Sequence, residues 1–529
     1  MKRLLIAVIL ANTGWTDTYP RQPGIDAQHY IFRLTLRDDT DEILGEATAD
    51  LRFVADGITE VKLDLALAVS GKGMTVTEVV SGGAPLKYVH TGDRLVITLA
   101  APPRAGERRQ ITVKYHGIPA KGLVIGPNKY KERAFFSANW PDLAHQWLPL
   151  IDHPSDKASS EFLITAPARY QVVANGLLQE QRDMSDGTRL THWKQSVPIA
   201  SWLNAVGVAQ FASRHFGSIQ DIPLQTWVFH QDRDAGIVAF ETPTRQAMEF
   251  YIDHIGPYPY EKLADVEATG LTGGTEHASA IFYGQASIGN RPATNLVAHE
   301  IAHQWFGDSV TEKDWDDVWL SEGFATYFTL LNTEHWEGRD AMVAGLLRSR
   351  TTVFETEKRL PKNSVVHNNL LDMRGVLNQL VYQKGGWVLH MLRAQIGTEK
   401  FWQGIRDYYR RYRDSNASTA DFRKVMEENS GTDLGWFFQQ WLYRAGSPVV
   451  EGTWRYDAGA KKLLVELSQA QAGEAYRLPM EVGLDGRVEK VELHQKQQSF
   501  EIAAGTEPAS VVLDPGTWML MNTHFARSK

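Results

Sequence analysis

The stretch NLVAHEIAHQWFGD (295–308) carries His299 and His303, four residues apart, with Glu300 beside the first. On a helix such a pair projects from one face about 40° apart, so both imidazoles can reach one cation. The chain has no cysteine, so any metal must be held by histidines and carboxylates. H-E-x-x-H is the zinc pattern in which the Glu acts as general base toward water. The segment is apolar around it, at Leu296, Val297, Ile301, Trp305 and Phe306, as expected of a buried site-bearing helix. A second helical segment, WDDVWLSEGFATYF (315–328), carries Glu322, nineteen residues after His303. An antiparallel return would make Glu322 a third ligand, and a His2Glu set leaves one position open for water. The chemistry of such a centre is metal-assisted hydrolysis of an amide or ester.

Three kinds of element must position these residues. From about His29 to Phe211 the pattern is short and alternating, as in HYIFRLTL (29–36), EVKLDLAL (60–67), RLVITLA (94–100) and RQITVKYH (109–116). It predicts one large, mostly antiparallel β domain over 24–211. Helical periodicity then takes over within 212–446, at 238–255, 293–306, 319–336, 374–396, 399–413 and 419–429. Gly397 suits the end of one helix and Thr398 the cap of the next, while Ser418 reads as an N-cap with Asp421 in the capping-box position. Beyond Ala445-Gly446-Ser447-Pro448 the alternation returns, in KKLLVELS (461–468) and RVEKVELH (487–494), giving a small β domain over 447–529.

Composition agrees with a soluble, multidomain α+β chain. Its 529 residues are 43% hydrophobic and 22% charged, which excludes disorder and a multi-span membrane protein. A net charge of −8 argues against a general nucleic-acid binder. The basic and aromatic run Tyr408–Arg413 reads as a solvated helix end. No G-x-S-x-G elbow accompanies the serines. Lys2 and Arg3 before the apolar run Leu4–Ala11 resemble a signal peptide over 1–14, implying export to the periplasm or the outside, with a cytoplasmic location as the alternative. That run is far below the ~20 residues of a membrane span, so no stable span is expected.

Three further segments make the chain resemble the M1 family of zinc aminopeptidases, gluzincins of the aminopeptidase N kind. HEIAHQWFGDSVT followed by WLSEGFATYF is similar to the family's H-E-x-x-H-x18-E block. Gly273-Gly274-Thr275-Glu276-His277 stands where the family has its G-x-M-E-N exopeptidase motif, and Tyr382-Gln383-Lys384-Gly385 resembles its Y-x-K-G element. Trp147-Leu148-Pro149 with Asp152-His153-Pro154-Ser155 looks like the family's W-x-P-x-x-D-x-P stretch. Together these cover roughly residues 25–445.

The resemblance implies a thermolysin-like, mainly α catalytic domain between the two β domains. It implies one Zn²⁺ held by His299, His303 and Glu322, with Glu300 as general base. Glu276 and Glu322 would hold the substrate's free α-amino group, Tyr382 would donate to the oxyanion, and the backbone of Gly273 and Gly274 would line the peptide. The partners implied are peptides with a free N-terminus. Thr275 and His277 replace the family's Met and Asn, and Trp140 in FFSANWP (135–141) stands where a second amine anchor is usual. The alternatives on the same framework are a zinc endopeptidase, an epoxide hydrolase, or a non-catalytic binding protein.

Overall fold

The computed structural model describes residues 21–366 and 375–528. The signal peptide expected over 1–14, and the start of the helix expected from 374, lie outside the described residues. Among the described residues no helix is long and apolar enough to cross a membrane.

The first part of the chain builds three sheets. The largest has eight strands, from Leu177–Asp183 at one edge through Thr188–Ala200, Lys157–Pro167, Ile25–Thr35, Ile43–Phe53, Arg108–Ile118 and Gly73–Ser81 to Ala84–Pro85. Every pairing in it is antiparallel except Ile25–Thr35 with Lys157–Pro167. Strict alternation of burial along Lys157–Pro167 shows why the pattern was readable: one face meets the core and the other does not.

The helical part opens with a sheet that the helical periodicity did not announce. Its five strands run in the order Phe211–Ile219, Ile222–Phe229, Leu263–Ala268, Ala280–Gly284, Gly274–Thr275. Both faces are covered at its strands Ile222–Phe229, Leu263–Ala268 and Ala280–Gly284. Leu224, Val228, Leu263, Ile281 and Tyr283 join the core of the helices. Their neighbours Trp227, Phe229, Ala264, Val266, Ala280 and Phe282 join the core of the N-terminal sheets. A strand buried on both faces loses its polar alternation, and the signal of period two goes with it.

The helices are α1 (Arg233–Gly236), α2 (Thr242–His254), α3 (Thr294–His303), α4 (Trp319–Glu337), α5 (Arg339–Arg359), α6 (Gly385–Ile396), α7 (Thr398–Tyr412), α8 (Thr419–Ser430) and α9 (Gly435–Leu442). Helices α1, α5 and α9 fall outside the helical segments read from the sequence, and α5 is the longest of the three. It is rich in Arg, Thr and Glu, and few of its positions, Met342, Leu346 and Val353 among them, are buried apolar ones. Gly397 does separate α6 from α7 with φ 85°. Thr398 is not the cap, however, because it is already inside α7 and its hydroxyl accepts a bond from Arg393.

Ser418 is the N-cap of α8, and the capping box with Asp421 is complete. The Ser418 backbone N–H donates to Asp421 Oδ2 at 3.0 Å, and Asp421 N–H donates to Ser418 Oγ at 3.3 Å. Next to it, the Thr419 hydroxyl accepts from Trp319 Nε1 at 2.8 Å and donates to Asp317 at 2.5 Å. The start of α8 therefore fixes the start of α4. The last sheets, Gln497–Ala503, Lys462–Gln469, Val449–Asp457, Asn522–Arg527 and Arg487–Leu493, Leu478–Leu484, Val511–Leu513, pack on the helices in one continuous core.

Ser418→Ala removes the acceptor for the Asp421 N–H. It is expected to cost about 1 kcal/mol of stability. Denaturant unfolding, followed by far-UV circular dichroism, measures this directly.

Candidate metal centre

Helix α3 presents His299 and His303 on one face, and α4 crosses it so that Glu322 closes the set. The two Nε2 atoms are 3.2 Å apart, and Glu322 Oε2 is 3.4 Å from His299 Nε2 and 3.3 Å from His303 Nε2. On the far side of its ring, His303 Nδ1 lies 3.2 Å from the Phe306 carbonyl and 3.0 Å from the Ser321 hydroxyl. Donation to that carbonyl leaves Nε2 free as the ligand atom. Ser321 had no signal of its own in the sequence beyond preceding Glu322.

Glu276 and Glu300 lie against the same histidine. One ligand atom each from Glu276, Glu300 and His303 falls within a 4.8 Å group, as does the set His299, His303 and Glu322. Three buried carboxylates thus crowd two imidazoles. Burial raises the Glu300 carboxyl well above its ordinary value, and Glu276 and Glu322 raise it further. Burial alone would lower the His303 imidazole, but Glu276 and Glu322 hold it well above the ordinary range. The Glu322 carboxyl, which burial alone would raise, is pulled down to about 2 by His303 and His299. Such a surplus of buried negative charge fits a divalent cation, and two imidazoles with one carboxylate are the donors zinc takes in catalytic centres.

Glu276 sits just after the edge strand Gly274–Thr275, which pairs with Phe282–Tyr283. Its carboxylate is buried, and its Oε1 has no hydrogen-bond partner. Gly273 adopts φ 81° and accepts the Gly284 N–H at 2.8 Å. Gly274 lies so close to Glu300 that a Cβ there would overlap the Glu300 carboxyl. His277 points away from the cluster. Its Nε2 is 3.5 Å from Ser137 Oγ, its ring meets Phe282 edge-on, and burial pushes its pKa down to about 4, so it stays neutral. It neither pairs with Glu276 nor adds charge there.

The strand is held to α3 by Gln304, a residue the sequence reading passed over. Gln304 is fully buried; its Nε2 donates to the Glu276 carbonyl at 3.1 Å and to Asp308 Oδ2 at 2.8 Å. Its Oε1 accepts from Ser279 N at 2.8 Å and the Tyr258 hydroxyl at 3.0 Å. Trp140 lies between Trp202 and Trp315, with ring centroids 4.6 and 4.9 Å away and ring planes tilted by 54° and 57°. The Trp147–Ser155 stretch serves as a brace. Asp152 accepts from His145 Nδ1 at 2.8 Å and Ser201 Oγ at 2.6 Å, tying together the short helical turns Ala144–Gln146 and Ser201–Leu203. Lys157, just beyond, donates to the carbonyls of Asp308 and Ser309 after the zinc helix at 2.9 and 2.8 Å.

Tyr382 lies in a π-helical turn, Leu380–Lys384, that leads into α6. Its ring lies over His299, centroids 6.2 Å apart and planes 17° from parallel. Burial, and then the Glu322 carboxylate that its hydroxyl bonds, raise the phenol pKa well above the ordinary range. Contact between α4 and α6 at two glycines allows this approach. A Cβ on Gly323 would come within 2.9 Å of Gly385 C and 3.2 Å of Val381 O.

A helix-borne H-E-x-x-H pair completed by a glutamate from the next helix defines the class as a gluzincin-type zinc metalloprotein. Comparison with known proteins narrows this. The model described as "Peptidase M1 N-terminal domain" matches residues 26–203, and "Peptidase family M1 domain" matches 244–441. Together they span well over half the chain: it belongs to peptidase family M1. It is 28% identical over 328 residues to glutamyl aminopeptidase of Sus scrofa, covering 59% of this chain and 34% of that protein. A probable aminopeptidase 1 of Sulfurisphaera tokodaii is 25% identical over 437 residues, covering 78% of this chain and 52% of that one. The chain therefore spans about a third to a half of the length of these curated relatives. Among solved structures, the M1 zinc metallopeptidase of Deinococcus radiodurans superposes with TM-score 0.69 at 26% identity, covering 80% of this chain and 95% of that one.

Gly323→Ala is expected to force α4 and α6 apart. The cost is about 1–3 kcal/mol of stability, the scale of overpacking a close contact, and turnover should fall with it. Thermal unfolding and turnover per bound zinc test both.

Proposed function

We propose that the protein is a zinc aminopeptidase that removes residues from the N-terminus of peptides, with zinc held by His299, His303 and Glu322. The observation that carries this reading is the Glu276 carboxylate: buried, unpartnered at Oε1, and grouped with Glu300 and His303. A fixed anion beside the reacting centre pairs with an α-ammonium and measures one residue from the chain end. An internal peptide bond supplies no such cation, so the endopeptidase reading leaves this carboxylate without a role. Intact ligands and an intact base likewise speak for catalysis over a binding protein that only keeps the fold.

Zinc, when bound, acidifies the attacking water and polarises the scissile carbonyl. Glu300, beside the metal ligands, would take the proton from that water and pass it to the leaving amine. The Tyr382 hydroxyl stays protonated and donates to the carbonyl oxygen as it gains negative charge. Glu276 receives the α-ammonium together with Glu322, and the backbone of Gly273 and Gly274 runs alongside the peptide. An M1 zinc metallopeptidase variant from Deinococcus radiodurans has been solved with a Tyr-Ser-Ala substrate, and its likeness to this chain (TM-score 0.69) supports a peptide as the substrate class. We also propose that residues 1–14 direct export and that the chain divides functionally at 24–211, 212–446 and 447–529.

Fluorogenic amides of free amino acids are expected to be cleaved, their N-acetylated twins to be inert, and chelator to abolish the reaction. Equal cleavage of both forms would remove Glu276 as the amine anchor. Glu300→Gln is expected to keep its zinc, measured by metal analysis, while losing nearly all turnover. Wild-type turnover in that variant would sink the assignment of the base.

A further inference from the structure

The π-helical turn that carries Tyr382 has a second anchor besides its contacts at the metal centre. Lys384 closes the turn, and it is almost completely buried. Its ammonium donates to Glu357 Oε1 on α5 at 3.0 Å and to the Gly446 carbonyl at 2.6 Å. Ser447 Oγ donates to the same Glu357 oxygen at 2.8 Å. The Gly446 carbonyl also accepts from the Tyr476 hydroxyl at 2.9 Å, and the Arg444 guanidinium lies over the Tyr476 ring. Gly446 and Ser447 form the junction from which the strand Val449–Asp457 starts. One buried ammonium thus binds the Tyr382 turn, helix α5 and the root of the C-terminal sheets.

A π turn is rare and occurs mostly as a single turn within a longer helix, frequently at a functional site. On the side facing α4, this one is set by the Gly323–Gly385 contact. On the other side, Lys384 and its partners are the polar attachment. A buried ion pair with an added carbonyl is directional, so it fixes where the turn sits as well as that it sits.

We infer that Lys384 and Glu357 are positioning residues for Tyr382, holding its hydroxyl over the metal centre from the root of the C-terminal sheets. This rests on the role given to Tyr382 above. Neither side chain touches substrate in this account. Each acts only through the tyrosine, so each should affect the step in which charge develops on the carbonyl oxygen and leave amine recognition by Glu276 alone.

The test is a double-mutant cycle on a free-amine substrate, with turnover expressed per bound zinc. Tyr382→Phe alone should lower kcat about 10²–10³-fold, the scale of losing one oxyanion donor. Lys384→Met and Glu357→Gln should each lower kcat by about tenfold or more, with KM within about twofold and zinc retained. In the Tyr382→Phe background the same substitutions should cause no further loss, because the group they position is gone. Glu357→Gln keeps the side-chain shape and an acceptor oxygen, so it carries the test if Lys384→Met does not fold. Wild-type kcat in Glu357→Gln would overturn the inference. So would a loss that multiplies undiminished onto Tyr382→Phe, or one that only follows loss of zinc. Wild-type kcat in Tyr382→Phe would overturn the role of the tyrosine itself, and this inference with it.

Discussion

Three carboxylates and two imidazoles withdrawn from water into one pocket form the constraint on which the rest of the structure depends. Glu276, Glu300 and Glu322 are all buried around His299 and His303. Charges taken out of water at this density are tolerated only where opposite charge is supplied at close range, and a divalent cation supplies it compactly. The same crowding sets the protonation of each group. Glu322 is kept ionised by the imidazoles, whereas Glu300 holds its proton more readily than an ordinary glutamate. Two chemically identical side chains thus differ in environment.

Keeping such a pocket in register requires that each contributor be fixed by something other than its charge. Gln304 ties the Glu276 strand to α3, and the paired glycines at Gly323 and Gly385 let α4 and α6 approach closely enough for Tyr382 to meet Glu322. The N-terminal sheets complete the frame. Asn175 Nδ2 donates to the Ala278 carbonyl at 2.7 Å, and Ser279 Oγ accepts the Gly176 N–H at 2.8 Å. The buried Lys262 ammonium donates to the carbonyls of Ala174 and Ser279 at 2.8 and 3.2 Å. The loop after Glu276 is therefore gripped by residues roughly a hundred positions earlier in the chain. That explains why a β domain without a metal ligand accompanies the zinc helices.

The candidate site residues were the most legible part of the sequence, because ligand chemistry demands particular residue types at helical spacing. His299, Glu300, His303 and Glu322 meet as that spacing requires, and the N-terminal strands could be read from alternation. What escaped was whatever acts through burial or long-range partnership. Helix α5 has too few apolar positions to show a clear stripe, and the inner strands of the five-stranded sheet are covered on both faces and so lost their alternation. Gln304, Ser321 and Glu357 are ordinary polar residues until folding brings their partners to them. His277 stands next to Glu276 in the sequence, yet its ring packs against Phe282 and Ser137 instead.

The five-stranded sheet has a further consequence. Its alternate residues belong to two cores, so neither core is complete without it. A segment beginning at the change from β to α pattern would bring Trp227, Phe229, Val266 and Phe282 into water, a contiguous apolar face of the kind that drives association between chains. Divisions that are plain in sequence pattern are therefore not divisions of cooperativity. The N-terminal sheets and the zinc helices are expected to be lost in a single unfolding event.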